Sequence, residues 1–536
     1  MAESGYDIDF SKAMVLEPTT LADWLIIAPV ATAVTGAALT MMLRKNVKYQ
    51  AFLGVLLLGL IFVQCLGLFA RVLELGPITM VMGKWLPPFG IAFTVDWVGA
   101  TFALTASAAA LAAGIYASTD AEMPDRRYGF YPFLLMTMAG VNGAFMTGDI
   151  FNLYVWFEVL LISSFGMLIL GSRDVQLDGA VKYAFLNLLA TTFFLAAVAY
   201  LYGLTGTLNM ADITIRLQEL PDGAPVGTLA VLFTFAFAMK AAAFPVNFWL
   251  PASYHAPRIS AAAIFAGLMT KVGFYALART LIMIMDPEQT IIVDVIAVIA
   301  ALTMITGVLG ALSQSDVRRI FGFLVISGIG TMLAGLAIAS EESLAGAFLY
   351  AVHSILVMTA LYLAAGMMNN LGGSFSLNRN AGLYRASSVL SICFFILFLA
   401  VAGLPPFSGF LPKIMLVSAS LNADLGWLAA VILVAGLLTT IAVSRVWILT
   451  FWRPTTDPSV VVPASASSAA VATAHLDDEH PPSANTNASY FALLLLVALI
   501  TWLGFQPELF LAALNNGATV FLEPSSYVDS VFGGTR

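Results

Sequence analysis

The chain has 536 residues, of which 60% are hydrophobic and only 10% are charged. Soluble domains are about 45–50% apolar and about 25% charged, so this composition excludes an ordinary soluble protein and indicates a polytopic membrane protein. The net charge of -8 comes mostly from loops and tails, and no basic patch favours nucleic acid. Cys65 and Cys393 lie in separate apolar runs, so we expect small core residues and no disulfide framework.

The length of the apolar runs predicts an all-α protein with about fourteen transmembrane helices, because a span needs about 20 apolar residues to cross a hydrocarbon core about 30 Å thick. The predicted spans cover residues 22–43, 50–72, 91–117, 128–147, 149–171, 178–203, 227–250, 258–285, 290–312, 319–339, 343–369, 387–419, 427–452 and 489–513. The stretch 204–226 is predicted to be a loop with a short surface helix.

The segments outside these spans complete the predicted organisation. The N-terminus is acidic and lacks the basic region of a signal peptide, which predicts an extracytoplasmic segment rather than a cleaved one. A Pro-, Ala-, Ser- and Thr-rich stretch before the last span predicts a flexible cytoplasmic linker, and its His475 and His480 are expected to be solvated rather than to bind metal. The predicted units are 1–21, 22–127 (helices 1–3), 128–285 (helices 4–8), 290–452 (helices 9–13), 453–488 (the linker) and 489–536 (helix 14 and a short tail).

The distribution of Lys and Arg predicts the orientation. Loops on one side carry thirteen basic residues, among them Arg126, Arg258 and Arg318, whereas the opposite loops are predicted to carry only Arg71, Lys84, Arg216 and Arg279. Short basic loops stay in the cytoplasm. Both termini are therefore predicted to be extracytoplasmic, which agrees with an even number of spans.

Five ionisable residues lie deep inside predicted spans. They are Glu158, Lys240, Lys271, His353 and Lys413. Glu158 follows the start of its span by about 16 Å of helix, which is near the membrane midplane. Each such group is costly in lipid, and any one alone could be a structural ion pair or a hydrogen-bonded core residue. A row of them at similar depth is typical of a proton relay.

Two spans carry helix breakers next to a deep lysine. Pro245 follows Lys240 in the seventh span, and the twelfth span contains breakers before Lys413, namely Gly403, Pro405, Pro406, Gly409 and Pro412. Proline removes a backbone donor and clashes with the preceding turn, so both helices are predicted to be discontinuous. The two lie five spans apart, and this odd offset predicts two inverted five-helix repeats, spans 4–8 and 9–13. Ordinary proline kinks are the alternative explanation.

The same residues define the chemistry that is expected. Glu158 paired with Lys240 would hold the lysine protonated, and loosening the pair would favour proton release. Waters linking the five groups would let movement of one charge bias the next. The sequence contains no GxxxxGK, HExxH or CxxC motif, so no phosphate loop, metal site or cofactor is expected.

Four stretches resemble the antiporter-like subunits shared by respiratory complex I and the Mrp multisubunit cation/proton antiporters, and most closely the D-type subunits of the latter. They are "GDIFNLYVWFEVLLIS", "KAAAFPVNFWLPASYHAP", "AGLMTKVGFYALAR" and "AGLPPFSGFLPK". The resemblance implies that Glu158 and Lys240 form the functional pair, that Lys271 is the central lysine, and that His353 and Lys413 continue the pathway. Further candidates are Lys182, His255 and Asp149. The short tail differs from the long lateral helix of the L-type complex I subunit.

This resemblance implies a secondary transporter subunit rather than an enzyme. Its expected partners are the other Mrp subunits (A, B, C, E, F and G), a prokaryotic cell membrane, and protons and Na+ as transported ions. One alternative is a proton-pumping subunit of a complex I-type NADH:quinone oxidoreductase. Another is a membrane scaffold whose charges serve only assembly. The location of the cation path does not follow from the sequence.

Overall fold

A computed structural model of the chain describes residues 14–15, 19–120, 123–221, 223–285, 292–454 and 485–533. In this part of the chain, ten helices are long and apolar enough to cross a membrane, and six more apolar helices have 10–17 residues. The predicted class, a helical polytopic membrane fold, is confirmed. Most of the predicted N-terminal segment and of the linker, including His475 and His480, lies outside the described residues.

The described residues of the first half form twelve α-helices and one β-hairpin. The helices are α1 (Ala28–Met42), α2 (Val47–Leu75), α3 (Trp97–Asp120), α4 (Met123–Tyr128), α5 (Phe130–Met146), α6 (Ile150–Leu168), α7 (Asp174–Thr205), α8 (Met210–Gln218), α9 (Val226–Ala241), α10 (Trp249–Ser253), α11 (Ile259–Ile264) and α12 (Thr270–Ala278). In the hairpin, β1 (Ile78–Val81) pairs antiparallel with β2 (Ala92–Val95). π-Helical turns join α11 to α12 and follow α12.

The described residues of the second half form helices joined by loops. Its helices are α13 (Ile292–Ser313), α14 (Val317–Ile338), α15 (Glu341–Gly372), α16 (Leu383–Ala386), α17 (Ser388–Ala402), α18 (Phe410–Asn422), α19 (Gly426–Trp447), α20 (Asn487–Phe505), α21 (Glu508–Leu522) and α22 (Ser525–Phe532). The most apolar parts of α15 and of 259–284 are wholly enclosed by other helices, whereas α2 and α19 keep broad exposed apolar faces. Lipid-exposed and core faces are thus equally apolar, as expected when lipid replaces water.

Turns at the two ends of the helix bundle define two faces. The hairpin face carries β1 and β2, and Gly148 donates to Ala92 of β2 there. The basic face, at the other end, includes the buried ion pair of Arg258 with Asp125. The described residues nearest both chain ends lie on the hairpin face, because Met14 bridges Trp85 and Thr79 contacts Ser530.

The region after α20 corrects the sequence prediction of a short tail. α21 and α22 have 15 and 8 residues, fewer than the roughly 20 of a typical span. Their apolar sides pack inward, and Phe521 and Tyr527 are completely buried. The helix predicted within 204–226 is present as α8. It does not lie on the surface, because its residues Met210, Ala211 and Ile213 are buried. Amphipathic helices this short are hard to tell from loops by hydropathy alone.

Two aspartates begin corresponding helices on opposite faces. Asp149 caps α6 by accepting from Asn152 N at 2.7 Å, and Asp316 caps α14 by accepting from Arg318 N at 2.8 Å. Each aspartate also forms an isolated β-bridge, Asp149 with Asn209 and Asp316 with Ser376. A side-chain acceptor at this position satisfies a free N–H of the first turn.

Removing the Asp316 cap should destabilise the protein. The Arg318 guanidinium, 2.7 Å away, holds the pKa of Asp316 below its usual range although burial alone would raise it. The stability that ionised Asp316 contributes to the fold is therefore present above about pH 3.9 and is lost as the pH falls through the lowered pKa. We expect Asp316→Ala to cost about 1–2 kcal/mol and to lower the melting temperature of the purified complex at pH 7. Asp178→Ala, in an exposed pair with Lys182, is the control and should change little.

Candidate functional site

The first interrupted helix lies between α9 and α10. α9 ends beside Ala242, which has a left-handed φ of 59°, and Pro245 lies in the break as predicted. Ala243 N bonds back to Ala238 O at 2.9 Å. Phe244 N, freed by the break, donates to Thr303 Oγ1 of α13 at 2.9 Å. A helix of the second half thus satisfies the free N–H of the break, and irregular backbone in a membrane requires such a partner.

The second interrupted helix repeats this backbone pattern between α17 and α18. Gly403 has a φ of 76°, and Leu404 N bonds back to Leu399 O at 3.1 Å. Pro405 and Pro406 lie in the break, as predicted. Pro412 does not break the helix, because it occupies the first turn of α18, where a missing N–H is tolerated.

Lys240 and Glu158 are neighbours without direct contact. The Lys240 side chain is buried in the last turn of α9, and its Nζ lies 5.4 Å from the Phe157 ring centroid. Glu158, the next residue of α6, is half-buried and interacts electrostatically with Lys240. Among the described residues, no nitrogen–oxygen distance of 4.0 Å or less joins this pair. The ring of Phe157 supplies a cation–π contact to the ammonium.

Lys271 is fully enclosed within the bundle. Its Nζ donates to Ala266 O at 2.7 Å. Ala266 belongs to the π-helix Phe265–Met269, and a π-turn interrupts the regular α-helical bonds and is frequent at functional sites. A Cβ at Gly273 would lie 3.1 Å from Lys240 Cβ, so the helix of Lys271 packs directly on that of Lys240.

His353 connects the region of Lys271 with the second break. Its Nδ1 lies 2.8 Å from Ser408 Oγ in the break. Lys413 donates to Val401 O and Ala402 O, both at 3.0 Å, so its ammonium caps the free carbonyls at the end of α17. Lys271 and Lys413 both act electrostatically on His353. Both lysines are therefore near enough to the histidine for their charges to affect it.

The three additional candidates lie apart from this row. Lys182 pairs with Asp178 at 2.5 Å and is about half exposed, at 49%, and Asp149 is the cap of α6. His255 lies on the basic face, where its Nε2 is 3.2 Å from Arg319 Nη2. Burial, together with Arg319 and Arg318, lowers the pKa of His255 to about 4, so it is neutral at pH 7.

One buried ion pair was missed by the sequence prediction. Arg279, predicted as a loop residue, is only 1% exposed and donates from Nη1 to Asp96 Oδ2 at 2.7 Å. Arg279 follows Lys271 by eight residues inside an apolar run. That spacing places Arg279 on the same helical face as Lys271. This pattern is the sequence signal that could have indicated a buried arginine. Its partner is remote in sequence and only the fold supplies it.

Together these features define a polytopic helical membrane protein with two interrupted helices and several buried or partly buried basic groups. Residues 147–439 match the family described as NADH:quinone oxidoreductase/Mrp antiporter, transmembrane. The chain is 35% identical over 508 residues to the D-type subunit of an Na+/H+ antiporter from Alkalihalophilus pseudofirmus, covering 95% of this chain and 99% of the relative. It is 33% identical to the equivalent subunit from Bacillus subtilis, covering 80% and 87%.

Solved structures agree with these sequence matches. A chain of the Mrp complex from Dietzia sp. superposes with a TM-score of 0.86 at 29% identity, covering 96% of this chain and 100% of that one. A chain of respiratory complex I from Thermus thermophilus shares the fold with a TM-score of 0.78 at 23% identity, covering 95% and 100%. The protein belongs to the NADH:quinone oxidoreductase/Mrp antiporter family of membrane subunits.

Proposed function

We propose that this chain is the proton-translocating subunit of a multisubunit Na+/H+ antiporter. The observation that carries the proposal is a set of ionisable groups at the two breaks. Lys240 is buried beside Phe157 and next to Glu158 in the fold, and the helix of Lys271 packs on that of Lys240. His353 lies within hydrogen-bond distance of Ser408 in the second break, whose free carbonyls Lys413 caps. A relative named as the D-type subunit of an Na+/H+ antiporter covers nearly the whole chain. A proton arriving at one group changes the charge next to the following one, which is how a relay passes a proton through a membrane.

The proposal assigns a role to each interrupted helix. The Lys413 ammonium lies on the carbonyl end of α17, where a positive charge complements the helix dipole. Lys240 has no such cap and depends on Glu158 and the Phe157 ring. A proton on Lys240 is therefore sensitive to Glu158, and a proton on Lys413 to the geometry of the break.

The same proposal extends to topology and assembly. We propose fourteen spans, with each interrupted helix counted once, and the matched backbone bonds at the two breaks support the proposed inverted repeats, spans 4–8 and 9–13. The basic face would lie in the cytoplasm of a prokaryotic cell. Glu158 is half-buried near the midplane, and a charge there requires protein cover. We propose that the other Mrp subunits, A, B, C, E, F and G, provide it.

A direct test uses membrane vesicles that contain the complete complex. Vesicles from an antiporter-deficient host are acidified inside by respiration and followed with a quenched pH dye. Adding Na+ should dequench the dye, and vesicles whose complex lacks this chain should not respond. Choline chloride at the same ionic strength is the control.

Absence of an Na+ response from the intact complex would refute antiport. Because the family also includes complex I subunits, the alternative is a proton pump driven by quinone reduction. That alternative predicts proton uptake on addition of NADH and quinone without any Na+ requirement. Flavin and iron–sulfur subunits in the purified complex would support it.

A further inference from the structure

The buried pair of Asp96 and Arg279 lies at the hairpin-face end of the helix that carries Lys271. Lys271, Tyr275 and Arg279 follow one another at intervals of four residues, so they line one face of this helix. Arg279 is about 12 Å from Lys271 along the helix axis. Arg279 therefore stands between the central lysine of the row and the solvent on the hairpin face.

Arg279 is held from several sides. It donates to Asp96 at 2.7 Å and from Nη2 to the Tyr275 hydroxyl at 2.5 Å. Tyr275 donates in turn to Phe145 O of α5 at 3.0 Å. Asp96 is fixed by Gly99 N, which donates to its Oδ1 at 2.9 Å. These bonds link the guanidinium through Asp96, which lies between β2 and α3, and through Tyr275 to α5.

The C-terminal helices α21 and α22 also contact Arg279. The Phe521 ring of α21 has its centroid 4.3 Å from Arg279 Cζ, and the Tyr527 ring of α22 lies 5.3 Å away. Asp96, Phe521 and Tyr527 are completely buried. Desolvation strengthens the attraction between Asp96 and the Arg279 guanidinium, and the faces of the two aromatic rings attract this cation as well. The rings belong to α21 and α22, the helices that hydropathy did not predict.

We propose that Arg279, positioned by Asp96 and Tyr275 under α21 and α22, is the barrier that closes the route from Lys271 to the hairpin face against protons and Na+. A fixed arginine charge in a constricted path repels both cations. This inference rests on the proposed function, because a barrier matters only if Lys271 carries protons. In this proposal Arg279 acts through its fixed charge and Tyr275 is a positioning residue, and neither binds a transported ion.

The test measures passive proton leak without Na+ in liposomes that contain the purified complete complex. With an imposed pH gradient, Arg279→Met should increase the leak about tenfold or more, since it removes one fixed charge from the path. Adding Lys271→Met to this variant should return the leak to the wild-type value. Arg216→Met is the matched control: it removes another arginine on the hairpin face, in a pair with Asp212 at 3.0 Å, and should not change the leak.

An assembled Arg279→Met complex with a wild-type leak would overturn the inference, as would a leak that Lys271→Met does not reduce. If Arg279→Met does not assemble, Tyr275→Phe decides. This variant keeps the ring and removes only the hydroxyl, so a smaller increase in leak is expected and an unchanged leak would refute the barrier. The proposed function is judged separately, by Na+-driven proton movement of the wild-type complex in the same liposomes.

Discussion

Glu158→Gln and Lys240→Met are each expected to lower Na+-driven proton movement by about 100-fold or more, the range of a lost proton-transfer group. Lys240 is buried beside the Phe157 ring and interacts electrostatically with Glu158. Either change removes the partner on which the other depends. The double variant should therefore be no slower than the slower single one, because groups that act as a unit are not additive.

The measurement is the initial rate of dye dequenching in vesicles, divided by the amount of assembled complex. Lys182→Met is the matched control, because Lys182 belongs to an exposed pair with Asp178 and should transport normally. Fully active, assembled Glu158 or Lys240 variants would contradict the relay. Losses that simply add would show that the two residues act independently. Loss of assembly alone would favour the scaffold hypothesis.

Lys413→Met and Gly403→Ala are expected to have the same large effect for different reasons. The first removes the ammonium that caps the Val401 and Ala402 carbonyls. The second leaves the lysine in place, but a Cβ at Gly403 would lie 2.8 Å from both Lys413 Cδ and Nζ. The φ of 76° at Gly403 adds backbone strain of about 1 kcal/mol for alanine. We expect both variants to transport at least about 100-fold more slowly.

Gly436→Ala provides the matched control for Gly403. Gly436 of α19 lines the same cleft of about 540 Å³ as Lys413 and Gly403, but a Cβ there would meet nothing within 4 Å. This variant should assemble and transport like the wild type. Normal transport by Gly403→Ala would show that the position of Lys413 over the break is not required.

Much of the candidate site could be predicted because ionisable residues are rare inside transmembrane segments and are therefore easy to recognise in the sequence. In a chain with 10% charged residues, a carboxylate such as Glu158 or a lysine such as Lys240 inside an apolar run needs an explanation. Pro245 and Pro405 mark the interruptions for a similarly local reason, since proline lacks an N–H. Pro412 shows the limit of this reasoning, because its effect depends on where α18 begins.

The elements that were missed depend on contacts between distant segments. α21 and α22 are too short for the length criterion, and they are fixed by burying Phe521 and Tyr527. Arg279 is counted with the loop residues in the prediction of orientation, whereas the structure buries it in a helix. Its partner Asp96 follows β2, far earlier in the chain, and joins it only when α3 packs beside the helix of Arg279.

The sequence by itself determined the membrane class, the interrupted helices and the identity of the deep ionisable residues. Each of these follows from the cost of placing a polar group or a free N–H in lipid, and that cost can be assigned from local sequence. Only the tertiary structure decided which groups meet. It separated Glu158 from Lys240 by more than a direct ion-pair distance, placed His353 against Ser408, and joined Arg279 to Asp96. Such partners are set by helix packing, because lipid and core favour the same apolar side chains and hydropathy does not distinguish the faces.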